Sequence, residues 1–228
     1  MIEGHISKAF DGALSSVHLR VVEMGGLVLR QVQDAVVAYA DWNSATANLV
    51  LGRETAVNRL EQAIEEEAVV IIARRQPMAS DLRLVMAIER VITNLERAGD
   101  EAKKVARLVV AGGGRSPALP GAAVARDIRQ MGKVANDMMR ASLEAFDTLD
   151  ANAAAEVVRR DLELDAEYAS GLRRLLTRAM EDPHKLQSVV ESAFVLKSVE
   201  RMGDHARNIA RQVIQLVGGV QSTRNVAN

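Results

Sequence analysis

The sequence predicts an all-α protein built as two tandem, internally repeated three-helix bundles with six long helices. Three observations lead there. Apolar residues recur every three or four positions over segments of about 30 residues, the period of a helix buried along one face. The composition is 48% hydrophobic but only 3% aromatic, and no alternating run reads as a strand. Finally, the chain repeats itself. Leu95-Glu96-Arg97-Ala98-Gly99-Asp100 returns as Val199-Glu200-Arg201-Met202-Gly203-Asp204. An offset of 104 also pairs Leu82 with Leu186, Val85 with Val189, Val91 with Val195, Ala102 with Ala206 and Arg107 with Arg211. Earlier in each copy the offset is 107, pairing Met24-Gly25 with Met131-Gly132, Tyr39 with Phe146, Val50 with Val157 and Glu54 with Asp161. It changes near Pro77 and Pro183, where a loop absorbs three residues.

The first helix is expected from Ser7 to Asp41, on the apolar row Leu14, Val17, Val21, Met24, Val28, Val32 and Val36. Gly25-Gly26 in its middle weakens it by about 1 kcal/mol per glycine unless another helix packs closely there. Asp41 to Ser44 supply the turn and cap. The second helix runs from Ala45 to Arg75 on Val50, Val57, Leu60, Ile64 and Ile71, and stops before Pro77. Ser80-Asp81 offers a cap for the third, which carries Val85, Ile88, Val91, Ile92, Leu95 and Val105 to Ala111. Residues 1–111 thus make the first repeat, and 112–121, rich in Gly and Pro, the linker. Helices over 122–149, 152–181 and 184–217 make the second repeat, followed by a polar tail, 218–228, expected to fray. Two halves of this size predict two modest cores.

Lys plus Arg is 29 and Asp plus Glu is 30, evenly spread, so no electrostatic nucleic-acid surface is expected. The absence of cysteine removes thiolate ligands and fits a reducing, cytoplasmic setting. No secretory signal or apolar stretch of membrane-spanning length is expected, so any membrane contact is indirect, through partners.

In each copy two carboxylates, Glu96 with Asp100 and Glu200 with Asp204, stand one helical turn apart on one face at the edge of the apolar arc. The neighbouring helix answers with Glu54 and Asn58 in copy one and Asp161 and Asp165 in copy two, again four apart. Facing carboxylates need cations or protons to offset their repulsion, and an all-oxygen set suits hard metal ions. The same spacing also describes a solvated helix face or arginine partners, so both readings stand. Asn58 adds an oxygen without charge; Glu61 lies one turn further. Arg97 and Arg201 point at the wrong angle to pair with these acids on their own helix. His205, beside Asp204, has two readings, an outer-shell partner of a metal site and a surface histidine, of which the second is preferred. Only Glu181-Asp182-Pro183-His184 fits the Glu-x-x-His string of di-iron bundles, and Pro183 breaks it. Arg74, Arg75 and Arg83 surround one tight turn, as helix-end cations or as a patch for an acidic partner.

Taken together, Arg74-Arg75-Gln76-Pro77-Met78-Ala79-Ser80-Asp81-Leu82-Arg83, Glu96-Arg97-Ala98-Gly99-Asp100 and Glu200-Arg201-Met202-Gly203-Asp204-His205-Ala206-Arg207-Asn208 resemble the PhoU family of phosphate-transport accessory proteins over nearly the whole chain. The resemblance implies a regulator without catalytic turnover. Such a protein is an adaptor between the ATPase subunit of a high-affinity phosphate ABC transporter and a phosphate-sensing histidine kinase, and represses the phosphate-starvation response. It also implies multinuclear metal, iron or else manganese, magnesium or zinc, at Glu96 and Asp100, Glu200 and Asp204, and Asp161 and Asp165. Glu54 with Asn58 departs from two acids, which leaves copy one in question. Exposed helix faces lead us to expect a homodimer. The competing classes are a carboxylate-bridged metalloenzyme, which would show turnover, and a metal-free helical scaffold, which would keep its partners after chelation.

Overall fold

The computed structural model describes residues 8–77, 79–112 and 121–226. The helices are α1 (Lys8–Ala40), α2 (Ser44–Arg75), α3 (Ala79–Ala111), α4 (Ala122–Thr148), α5 (Ala151–Glu181) and α6 (Leu186–Val226), with a 3-10 turn at Pro183–Lys185. No strand occurs among the described residues. Most expected boundaries hold to within one or two residues, and two features differ. Ser80 and Asp81 lie inside the first turn of α3 instead of capping it, Asp81 standing where the helix dipole favours an acid. The α6 helix runs through Gly218 to Val226, since no proline or capping turn stops it there. The expected linker lies outside the described residues except for Gly112 and Gly121.

The duplication extends to the turns. Trp42 and Leu149, paired by the 107 offset, both take left-handed backbone at φ 50° and 53°. The residue after each caps the next helix. Asn43 Oδ1 accepts from the Thr46 N–H at 3.1 Å, and Asp150 Oδ1 accepts from the Asn152 and Ala153 N–H groups at 2.8 and 3.0 Å. The copies part at the next connection. In copy one Gln76, at φ 46°, donates its N–H to the Ile72 carbonyl and closes α2. In copy two Asp182 Oδ1 accepts from the His184 N–H and starts the 3-10 turn. There the offset drops from 107 to 104.

Each triplet packs on itself, and in addition α3 packs on α6 and α1 on α4. The buried side chains therefore form one continuous core, not two. The reason lies in α1 and α3, which meet their own bundle on one side and the other bundle on the next. A helix with neighbours on three sides needs apolar residues around much of its circumference. This also accounts for the apolar character of α1, which Arg20, Glu23, Arg30 and Asp34 interrupt. Gly12–Ala40 is long and apolar enough to span a membrane by length and composition, yet Val17, Val21, Met24, Val28 and Val32 are buried in the core.

Reciprocal contacts reveal a pseudo-two-fold relation between the copies. A Cβ at Gly25 would lie 2.7 Å from Leu143 on α4, and one at Gly132 would lie 2.5 Å from Val36 on α1. Gly25 and Gly132 are repeat equivalents, as are Val36 and Leu143. The glycines thus let α1 and α4 approach closely, as the first helix requires if its glycine pair is to be tolerated.

Gly132→Ala is expected to destabilise the protein by about 1–3 kcal/mol, because the stiff, β-branched Val36 cannot yield. Gly26→Ala, whose Cβ meets only the tip of Arg30 at 3.9 Å, should stabilise it by about 0.5–1 kcal/mol. Urea midpoints of the two variants against the parent check both signs.

Candidate cation site: paired carboxylate grooves

Three faces of the repeated motif do different work. Leu95, Ala98 and Ala102 are buried in the core. Gly99 faces α1, where a Cβ would stand 2.9 Å from Gln31 Oε1; its equivalent, Gly203, would strike Leu164 on α5. The Glu96–Asp100 face then turns to α2 and the Glu200–Asp204 face to α5.

In copy one the Lys103 ammonium donates to Glu54 Oε1 at 2.6 Å and also pairs with Asp100. It ties α2 to α3. Burial alone would lower its pKa, but Asp100 and Glu54 outweigh that and raise it. Among the described residues no ion pair reaches the other acids of this groove, although Lys103 and Arg97 partly offset the charge at Glu96. The Glu61 carboxyl is pushed up to about 7, by burial first and then by Glu96, Glu65, Asp100 and Glu89. Glu96 is raised by burial and by Asp100, and Glu89 by burial and by Glu65. Asn58, by contrast, is exposed and makes no hydrogen bond to this group among the described residues. Two turns from Glu54, Glu61 returns to the face that meets α3; at one turn, Asn58 swings outward.

Copy two repeats the plan with an arginine. Arg207 pairs with Asp161 across to α5 and, through Nη2 at 2.7 Å, with Asp204 on its own helix. Its guanidinium pKa is held up by these carboxylates against the opposing effect of burial. Asp161 and Glu200 are buried, at 5% and 9% exposure. Asp165 is exposed; its pKa is raised by desolvation, then by Asp161 and Asp204. Glu200 accepts from Lys197 at 2.6 Å, and that ammonium also lies 5.4 Å from the centre of the Tyr168 ring. Tyr168 occupies the position equivalent to Glu61.

Sequence reasoning missed Lys103 and Arg207. The 104 offset pairs them, so a cation one turn past each Asp was visible in the repeat. Arg97 and Arg201 indeed avoid the carboxylates of their own helix. Arg201 Nε instead donates at 2.7 Å to Glu101 on α3, a buried carboxylate that also accepts from Ser198 and Lys104. Burial would raise the Glu101 pKa, but these donors hold it below its ordinary value. His205, expected at the surface, is buried at 6% exposure with Nδ1 3.1 Å from Asn94 Oδ1. Burial, with Arg201 and Arg97 nearby, lowers its pKa. The equivalents of Glu101 and Ser198 are His205 and Asn94, so this pair of contacts also obeys the pseudo-two-fold.

Among the described residues no three acids or histidines converge into a coordination sphere. Lys103 and Arg207 stand where the carboxylates meet. The donor chemistry nevertheless fits a hard cation. The acids of both grooves offer oxygen donors only, and in copy two Asp161, Asp165, Glu200 and Asp204 outnumber the cations Arg207 and Lys197 beside them. At the α2–α3 turn Arg74 and Arg83 are exposed, and the Arg75 side chain lies outside the described residues.

Comparison with known proteins agrees with the duplicated helical fold. The family model for the PhoU domain matches residues 21–109 and 128–213. The two ranges start 107 residues apart and end 104 apart, the two offsets of the repeat. The phosphate-specific transport system accessory protein PhoU homolog of Pseudomonas aeruginosa is 44% identical, covering 94% of this chain and 88% of that protein. The phosphate-specific transport system accessory protein PhoU of Escherichia coli strain K12 is 38% identical over 97% of this chain and 90% of its own length. The crystal structure of PhoU from Pseudomonas aeruginosa superposes with a TM-score of 0.86 at 43% identity, covering 92% of this chain and 99% of that one. A phosphate transport system regulatory protein PhoU from Streptococcus pneumoniae gives 0.82 at 26% identity, covering 92% and 97%.

The raised Glu61 carboxyl fixes a pH dependence. Between its unfolded value near 4.5 and about 7 the folded state holds the extra proton, so stability falls as pH rises through that window. Glu61→Gln should match the parent at pH 4 and exceed it at pH 8, as read by urea midpoints in metal-free buffer. Equal pH profiles would show that Glu61 is not strained by its neighbours.

Proposed function

The chain belongs to the PhoU family, and from that premise we propose that it regulates phosphate uptake as an adaptor of a phosphate-specific transport system, without catalytic turnover. Its partners on this reading are the transporter's ATPase subunit and a phosphate-sensing histidine kinase, bound from the cytoplasm, and its effect is to repress the phosphate-starvation response. An adaptor transmits a signal only if it binds the states of its partner with different affinity. What supports this reading beyond kinship is that the repeated carboxylates are engaged in bracing. Lys103 joins α2 to α3, and Arg207 joins α5 to α6. Each groove thereby sets the angle between an outer helix and the α3–α6 pair, and so the shape of the surface offered to partners.

Glu96 and Asp100, with Glu54 and Glu61, and Asp161, Asp165, Glu200 and Asp204 are the residues that would hold metal. Bound there, a multinuclear hard metal, iron or manganese, would supply the positive charge that the excess acids lack. A metal-free adaptor is the second reading, favoured by the cations Lys103 and Arg207.

The double variant Glu200→Ala, Asp204→Ala separates the readings. Elemental mass spectrometry of untagged protein should find metal in the parent and a loss of at least half in the variant. Repression of a phosphate-starvation reporter and co-purification with the ATPase subunit should fall with it. A parent without metal that still represses supports the second reading. Unchanged repression in the variant would remove the copy-two groove from the mechanism.

A further inference from the structure

Between the two carboxylate grooves, the outer face of the α3–α6 contact has the opposite charge. Arg83, Arg90, Arg97 and Lys104 stand seven residues apart along α3, every two turns, about 10.5 Å from one to the next. A seven-residue spacing drifts only ~20° per step, so the four lie in one row nearly parallel to the helix axis. All four are exposed. Arg83 has an interaction of its own and extends the row. Arg90 Nη1 donates to Gln212 Oε1 on α6 at 3.0 Å, which sets the row at the lip of a groove. That groove, of about 430 Å³, is lined by Arg90, Arg97 and Arg211 with Thr93, Asn94, Asn208, Gln212 and Gln215, and by no carboxylate. Toward the start of α3 it continues into an apolar section with Leu82, Met86 and Leu216. Glu101, one turn from both Arg97 and Lys104, is buried and occupied by Arg201, Ser198 and Lys104.

The row belongs to one copy only. Its equivalents on α6 are Gln187, Phe194, Arg201 and Asn208. A feature required only for packing would be expected on both sides of a pseudo-two-fold interface.

We propose that the groove between α3 and α6 is the docking site for an acidic amphipathic helix of a partner protein, with carboxylates at heptad spacing against Arg90, Arg97 and Lys104 and apolar side chains over Leu82, Met86 and Leu216. Charge complementarity and spacing select this occupant. A helix presents residues seven apart as a row of the same pitch, and two helices already in contact offer the seam into which a third fits. The inference rests on the adaptor reading and names the surface that reading needs.

The test is fluorescence anisotropy of the full chain with a labelled synthetic helix of about 25 residues, ~38 Å long, carrying glutamate at every seventh position and leucines at one end. The control peptide has the same composition with the glutamates out of register. The in-register peptide should bind at least tenfold tighter than the control, and Arg90→Ala with Arg97→Ala should remove at least tenfold of that. Arg97→Glu should lose binding and regain it with a peptide bearing lysine at the facing position. Both substituted side chains are exposed, and circular dichroism confirms that the variants fold.

Equal binding of the two peptides, or displacement by millimolar inorganic phosphate, would overturn the proposal in favour of a general anion patch. Absence of binding by either peptide would overturn it outright. A smaller sedimenting species for the Arg90→Ala, Arg97→Ala variant than for the parent would also overturn it, since a second copy would then cover the groove. Co-purification with the ATPase subunit is scored separately, so the groove can fail while the adaptor reading stands.

Discussion

The contact between α3 and α6 is the constraint on which the rest of the molecule depends. It packs the repeated motif helix against its own copy, antiparallel, with Arg90 beside Gln212 at one point and Glu101 beside Ser198 and Arg201 further along. A carboxylate as buried as Glu101 would cost several kcal/mol if left alone. Three donors satisfy it, two of them from α6. The polar network therefore fixes the register of the two helices, and the surrounding apolar contacts supply most of the attraction.

Once that register is set, each motif helix has a fixed assignment of faces. One face is spent on the shared core, one on the other copy, and one on the carboxylate groove with α2 or α5. Gly99 and Gly203 mark where neighbouring helices come too close for a side chain. The acids are thus held on the flanks, and the cations of α3 on the ridge between them. Separating charge in this way lets a nearly neutral chain present strongly negative and strongly positive surfaces a helix width apart.

The two copies have kept their packing residues while diverging in their charges. Gly25 and Gly132, Trp42 and Leu149, and Asn43 and Asp150 hold equivalent places in the scaffold. In the grooves, Arg207 holds the place of Lys103, but Tyr168 holds that of Glu61 and Asp165 that of Asn58. Copy one carries its excess acid in the seam, where it is strained. Copy two replaces that acid with an aromatic ring that shares Lys197 with Glu200.

Helix number, helix extents and the duplication were legible in the sequence because they are local or self-comparative. A 3.6-residue period shows where a helix buries one face, and a repeat offset needs no third dimension. The motif carboxylates were legible for the same reason, and so was the equivalence of Lys103 and Arg207, which the 104 offset spans; that these two cations stand among the carboxylates was not. What only the tertiary structure decided is which helices meet. Periodicity states that a face is buried, not against what, so it predicted two cores where α1–α4 and α3–α6 packing makes one. The same limit placed His205 at the surface. It sits on a helix face whose environment is set by a neighbour more than a hundred residues away, and that is not written in the spacing of residues along a single helix.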